Sequence, residues 1–392
     1  MTRLADRSFE MVLRNRVTFG VGAIERLPAL VAAAGASRVF VVTDPGVLGA
    51  GIVDPVLDRL AATGLATGVF AEVEPNPAAA TVGRGASDLR DFGLSGTVVV
   101  AIGGGSAMDA AKAIDLRAVN DRPVWELEYD GPDLAPGLPI VAVPTTAGTG
   151  AEAHSFAVIT HEEIGRKDYI GHPSLLPVAT ILDPGLTVGL PPAVTASTGI
   201  DAMTHSLESL LSANPNPFAE AIALGVIRTI GTWLRQALSD GSDLEARSQM
   251  LMASHLAGVG QASGTGVGLV HALGHSIGTR AKVAHGTALA TVLPEVLTFY
   301  LGTRDRELAL VGIALGVASG AESDASAAAV AIGAIDKLLR DVDQRPTLRR
   351  LGFDDALLDV VAQDAVEDAA IRNSPRLPTL AEVREIAASV LG

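Results

Sequence analysis

The sequence predicts an α/β domain built on a parallel sheet over residues 1–185, followed by an all-α domain over residues 186–392. Three observations carry that expectation. Short β-branched runs alternate with stretches of helical spacing as far as Asp183-Pro184. The runs are apolar throughout rather than alternating, as in strands covered by helices on both faces. Beyond Pro191 only helical periodicity recurs.

Taken in order, Arg38–Asp44 (RVFVVTD) is the first strong strand and ends in a Pro-Gly turn. Val53–Ala62 has helical spacing, Gly68–Val73 reads as a strand, and Asn76-Pro77 opens a helix reaching Phe92. Thr97–Ile102 (TVVVAI), Leu138–Val143 and Ala179–Leu182 are further strands of the buried type. Such alternation implies right-handed crossovers, with ligands beyond the carboxyl ends of the strands. Helices are then expected at 191–212, 217–238, 244–261, 268–279, 286–300, 305–316, 324–341, 354–369 and 379–390. Pro191-Pro192 marks the start, and Gly264, Gly268 and Gly286 punctuate the series.

The 29 basic against 44 acidic side chains leave a formal charge of −15. An acidic surface repels phosphate backbones and anionic bilayers, which argues against nucleic-acid and membrane partners and leaves room for a local pocket that takes a small phosphate ligand. The charged N-terminal stretch MTRLADRSFEMVLRNR lacks the apolar segment of a signal peptide, so a cytoplasmic location is expected. Ser248–Thr279 has no charged side chain, but it carries Gln261, histidines and many glycines, and reads as protein interior rather than a membrane helix. With no cysteine, metal chemistry falls to histidines and carboxylates.

Two loops of the α/β part have ligand-binding character. Gly103-Gly104-Gly105-Ser106 follows a buried strand and opens a helix carrying Asp109. Glycines there let the backbone approach a ligand, and the helix N-terminus favours a pyrophosphate; a tight turn is the plainer reading of the same residues. The second loop, Pro144–Glu152 (PTTAGTGAE), brings Thr145, Thr146 and Thr149 to the same sheet edge. Asp44, at the end of the first strand, suits ribose hydroxyls and would repel a 2′-phosphate, although aspartate is also ordinary in a turn.

In the helical part, Asp201 and His205 are spaced i, i+4 and share a helix face, as do His271 and His275; His285 begins a later helix. One such histidine would be unremarkable in a core. Several imidazoles in charge-free surroundings are costly to bury unless a ligand uses them, and a divalent cation held by one Asp and three His does so. His161 and His172 read as loop residues, His255 as packed within a helix, and His154 as following the threonine loop toward the ligand cleft.

These segments, GGGSAMDAAK at 103–112, PTTAGTGAE at 144–152, TGIDAMTHSLE at 198–208, and the surroundings of His271 and His285, resemble the iron-dependent (group III) alcohol dehydrogenases. The resemblance covers nearly the whole chain. It implies the dehydroquinate synthase-like fold, a Rossmann-like dinucleotide domain with a helical catalytic domain. It implies a metal-dependent NAD(P) alcohol dehydrogenase using Fe2+ or Zn2+ on a small-molecule alcohol or aldehyde, and a homo-oligomer such as a dimer is expected. Asp201, His205, His271 and His285 match the metal ligands. His275 matches a histidine beside the nicotinamide that acts in a proton relay. Gly103, Gly104, Gly105, Ser106 and Asp109 match the pyrophosphate loop. Thr145, Thr146 and Thr149 match a nucleotide loop, Lys167 a lysine near the ribose, and Asp44 and Asn76 the adenosine side and cleft. His154 stands where a small hydroxyl residue is common, and Gly260, Ala262 and Ser263 where an aromatic often walls the substrate pocket. Related chemistries of the fold are glycerol dehydrogenase-like polyol oxidation and sugar-phosphate lyases. The lyases need a basic pocket that a chain with lysine only at 112, 167, 282 and 337 does not offer.

Overall fold

The computed structural model describes residues 15–129, 133–161 and 166–392. The chain divides into a sheet unit, Arg14–Pro191 with Asp240–His255, and a helical unit containing Pro192–Ser239 and Leu256–Gly392.

The sheet unit contains β1 (Arg16–Phe19), α1 (Leu27–Ala33), β2 (Arg38–Val42), α2 (Pro45–Gly49), α3 (Val53–Ala61), β3 (Ala66–Phe70), α4 (Ala79–Phe92), β4 (Thr97–Gly103), α5 (Gly105–Val119), β5 (Ile140–Pro144), β6 (Phe156–His161), β7 (Arg166–Gly171) and β8 (Ala179–Leu182). Six of these strands form a parallel sheet in the order β1-β8-β5-β4-β2-β3. Its alternating side chains feed two cores. Val42, Val99, Ala101 and Ala142 pack with Val82, Leu89 and Ile114 of α4 and α5. Val41, Val98, Val100 and Val141 pack with Leu27, Val56 and Leu60 of α1 and α3. Both faces are covered, so β4 is buried along its whole length and reads as an unbroken apolar run.

The strand expected at 68–73 lies at Ala66–Phe70. β1 and the antiparallel β6–β7 hairpin are additional to the expected strands. β1 is a short, mostly exposed edge strand, and β7 (RKDYIG) is largely polar, so neither presents an apolar run.

The helical unit is built from α6 (Pro192–Leu211), α7 (Pro217–Ser239), α9 (Leu269–Ala281), α10 (His285–Phe299), α11 (Asp305–Ala314), α12 (Asp324–Asp341), α13 (Asp355–Glu367) and α14 (Leu380–Ser389). The intervening α8 (Leu244–Gly260) begins in the segment that groups with the sheet. Each helical stretch expected beyond Pro191 is present, and α8 runs into a π-helical turn at Gln261–Thr265. Gly286, at the start of α10, lies against α6: a Cβ there would sit 1.9 Å from the Ser197 carbonyl oxygen, so only glycine permits the approach.

One buried side chain makes this architecture pH-sensitive. Asp115 of α5 accepts from Leu138 N–H at 2.9 Å, while its Oδ2 is buried without a hydrogen-bond partner. Burial raises its pKa from 3.8 to about 8, against the Leu138 bond. The folded state thus holds a proton that the unfolded chain has released, and stability falls as pH rises from about 4 through about 8. Asp115→Asn removes the ionisation. We expect it to match the wild type at pH 4 and to exceed it by a margin that widens up to about pH 8, reaching at least about 1–3 kcal/mol. Thermal unfolding at both pH values checks this; a gap that does not widen with pH refutes it.

Candidate functional site

The sheet places the two predicted loops side by side. β4 and β5 end in register, with Gly103 opposite Pro144, and Thr145 N–H donates to the Gly103 carbonyl at 2.9 Å. Gly103 has φ +150°, and a Cβ on it would meet Ala107 Cβ at 2.6 Å and Asp44 Oδ2 at 2.9 Å. A Cβ on Gly105 would lie 2.4 Å from Thr149, and one on Gly104 would lie 3.1 Å from Thr146. The glycines are therefore required by the contact between the loops as well as by any approaching ligand. Helix α5 begins at Gly105 and directs its first N–H groups to this edge.

Four more predicted residues converge here. Asp44 caps α2, its Oδ1 accepting from Val47 N–H at 2.9 Å, while its Oδ2 lies beside Gly103. The turn reading and the ligand reading of Asp44 are thus compatible. Asn76, at φ 55°, donates its N–H to Ser106 Oγ at 3.2 Å, and its Oδ1 accepts from Lys167 Nζ at 3.0 Å. The unforeseen hairpin is what carries Lys167 to this edge. Asp109 has a structural partner, since its Oδ2 accepts from Val158 N–H of β6 at 3.2 Å.

The helical unit assembles the Asp/His set from three helices. α6 supplies Asp201 and His205, α9 supplies His271, and α10 opens with His285. The Nε2 atoms of His205, His271 and His285 lie 3.7, 3.8 and 3.7 Å from Asp201 Oδ1. Asp201, His271 and His285 have ligand atoms within 4.8 Å of one another. The His205 ring stacks on His271 at 4.7 Å.

Asp201 Oδ1 and His271 Nε2 are both buried without a hydrogen-bond partner. Leaving such groups unpaired is expensive, and a cation between them satisfies both. A tetrahedral site with bonds of about 2.0–2.2 Å has ligand–ligand edges of about 3.3–3.6 Å. The separations from Asp201 Oδ1 exceed that by a few tenths of an ångström, so Asp201, His271 and His285 fit a divalent ion, with His205 close to Asp201 but outside that mutually close trio.

Two carboxylates that sequence reasoning left without a role hold the histidines in place. Glu208 Oε2 accepts from His271 Nδ1 at 2.5 Å, and its Oε1 accepts from Val270 N–H at 2.7 Å. Burial alone would raise the Glu208 pKa, but the His271 charge and hydrogen bond, with the Gly268 and Val270 N–H groups, hold it below the ordinary value. The nitrogen opposite this bond, Nε2, is thereby turned toward Asp201. Glu208 is seven residues from Asp201 on α6, and that spacing was its available signal. Asp368 Oδ2 accepts from His275 Nδ1 at 2.7 Å. Burial would raise its pKa too, but the charge and bond of His275 lower it. Nothing local to Asp368 points to His275, 93 positions away. Among the other histidines, His161 Nδ1 lies 3.1 Å from Asp168 and His172 accepts from Ser174 N–H, both close in the chain, whereas His255 Nδ1 lies 3.0 Å from the distant Glu152.

A glycine loop and a threonine loop at the edge of a parallel sheet, encoded with a helical unit that sets three imidazoles about one carboxylate, fit the metal-dependent dehydrogenases of alcohols and their carbonyl counterparts. The chain belongs to the iron-containing alcohol dehydrogenase family. The profile described as iron-containing alcohol dehydrogenase matches residues 14–184, and that of the Fe-containing alcohol dehydrogenase family, C-terminal, matches residues 195–391. The chain is 37% identical over 370 residues to the probable alcohol dehydrogenase EutG of Salmonella typhimurium (strain LT2), covering 94% of this chain and 91% of that protein. It is 34% identical to the lactaldehyde reductase of Escherichia coli (strain K12), covering 96% and 98% of the two chains. The crystal structure of a 1,3-propanediol oxidoreductase superposes with a TM-score of 0.93 at 34% identity, covering 98% of this chain and 100% of that one. Among the described residues no helix is long and apolar enough to cross a membrane.

Proposed function

We propose that the protein interconverts a small alcohol and its aldehyde or ketone, using NAD(H) and one divalent ion held by Asp201, His205, His271 and His285. The observation that carries this reading is the buried, unpartnered Asp201 Oδ1 facing three imidazole nitrogens. Fe2+ is the proposed ion; Zn2+ suits the same donors, and supply decides between them. When bound, the ion supplies Lewis-acid polarisation of the substrate oxygen and the nicotinamide gives or takes the hydride.

The chain's own residues do the rest. The start of α5 offers N–H groups to the pyrophosphate, with Gly103, Gly104, Gly105 and Ser106 permitting the approach and Thr145, Thr146 and Thr149 lining it. Asp109 tethers that helix to β6. Asn76 and Lys167, already joined to each other, serve the ribose side. Glu208 orients His271. Asp368 holds the proton on His275 Nδ1, which makes Nε2 the atom that takes or returns the substrate hydroxyl proton.

The names of the lactaldehyde reductase and the 1,3-propanediol oxidoreductase make short hydroxyaldehydes and diols the first compounds to assay. NADH absorbance with such a panel, on protein reconstituted with Fe2+ or Zn2+, tests the function. No turnover with any alcohol or aldehyde in either metal form rejects it.

NAD is proposed over NADP because the Asp44 carboxylate would face a 2′-phosphate. Asp44→Gly removes that repulsion and a ribose hydroxyl acceptor, while as an α2 cap glycine costs only a few tenths of a kcal/mol. The expected shift of the NAD/NADP ratio of kcat/KM is about 1–3 kcal/mol toward NADP, the scale of a charged hydrogen bond. An unchanged ratio would leave Asp44 as a helix cap alone.

A further inference from the structure

Apart from the Asp/His cluster, the sheet unit buries a second group of ionisable side chains. Lys112 of α5 is 1% exposed. Its Nζ donates to the Ala151 carbonyl at 2.6 Å and the Phe156 carbonyl at 2.9 Å, and lies 3.3 Å from His154 Nδ1. An ammonium only donates, so His154 accepts at Nδ1 and carries its own proton on Nε2. The charges facing Lys112 are Asp109 on its own helix and Glu152 at the exit of the threonine loop. Glu152 is itself paired with His255 of α8 at 3.0 Å. Glu152, His154 and His255 are all buried.

Burying an ammonium is costly, and the positions of its acceptors indicate what it accomplishes. All three lie between residues 151 and 156, on the chain leaving the threonine loop. The lysine itself stands two turns into the helix that begins at the glycine loop. One side chain therefore joins the two segments whose tips meet where Gly104 and Gly105 touch Thr146 and Thr149.

We propose that Lys112 is the positioning residue of the nucleotide loops, setting the threonine loop against the glycine loop so that both are preorganised for the dinucleotide. This rests on the assignment of those loops to NAD(H). Loss of one ammonium proton leaves two N–H groups for three acceptors, so the clamp is strongest with Lys112 charged. Burial pulls its pKa from 10.5 to about 8, against the charges of Asp109 and Glu152. Dinucleotide affinity should therefore hold below that pH and fall as pH rises through it.

The test is NADH binding, by fluorescence titration from pH 6.5 to 9.5, on wild type, Lys112→Met and His154→Ser, with metal content measured alongside. Wild type should weaken across about pH 8. Lys112→Met should bind at least about 10-fold more weakly at pH 7, as expected for a lost charged hydrogen bond. It should show no break near 8 and keep its metal. His154→Ser keeps the ammonium and both carbonyl acceptors but admits water, so its break should move above 8. Wild-type affinity with an unmoved break in Lys112→Met overturns the proposal. Should Lys112→Met fail to fold, an unmoved break in His154→Ser overturns it alone. Wild type binding no NADH at any pH would instead remove the dinucleotide assignment, and this proposal with it.

Discussion

His271→Ala is expected to lose most of its divalent metal and at least about 10³-fold in turnover. That loss corresponds to the several kcal/mol a Lewis acid contributes to the reaction. His271 is central to the cluster: its Nε2 faces Asp201 Oδ1 at 3.8 Å, its ring stacks on His205, and Glu208 fixes its other nitrogen. Removing the ring deletes a donor and leaves the buried Glu208 without its cation-side partner. Elemental analysis of the purified variant decides the matter. Full occupancy would show that the four residues are not the ligand set. Glu208→Gln provides the graded comparison, because it keeps every proposed ligand and alters only the hydrogen bonds that Glu208 makes to His271 and the Val270 N–H. Its metal affinity should fall by about 10–100-fold, the usual penalty for loss of an outer-shell partner.

His275→Ala should behave in the opposite way, retaining metal while turnover falls by about 10²–10⁴-fold, the range contributed by general acid–base catalysis. His275 stands one helical turn from His271, and its ring stacks on that of His285 at 5.5 Å. Its Nδ1 is committed to Asp368 rather than to the Asp201 group. The pH dependence of kcat should change with it, since the group proposed to move the proton is gone. A variant that lost its metal yet kept the wild-type pH profile would transfer His275 to the ligand set and remove it from the proton path.

Much of this machinery was legible because its signals are local. A strand buried on both faces must be apolar at every position, as β4 is. Asp201 and His205 on one helix, and His271 and His275 on another, announce themselves by i, i+4 spacing. What the sequence did not reveal is the identity of partners distant in the chain. Lys167 reaches Asn76 from a hairpin whose second strand is polar, so its pattern does not resemble a strand. Asp368 lies at the C-cap of α13, where an acidic residue looks like any solvated terminus until α9 packs against it. His154 is spaced to face a cleft, yet its Nδ1 meets the buried Lys112 instead.

By itself the sequence determined the parallel sheet with its following helices, the two loops at the carboxyl edge, and the residue types able to hold an ion. Period and composition record which faces are buried, and burial is the larger free-energy term in forming each element. Only the tertiary structure decided how these parts are oriented. It turned the imidazole nitrogens of α6, α9 and α10 toward one carboxylate oxygen, and it set Glu208 and Asp368 against Nδ1 of His271 and His275. It also spent the charge of Lys112 on joining two loops. Hydrogen bonds and ion pairs act over about 3 Å and depend on direction, so they are fixed by packing between segments and leave no periodic trace in the chain.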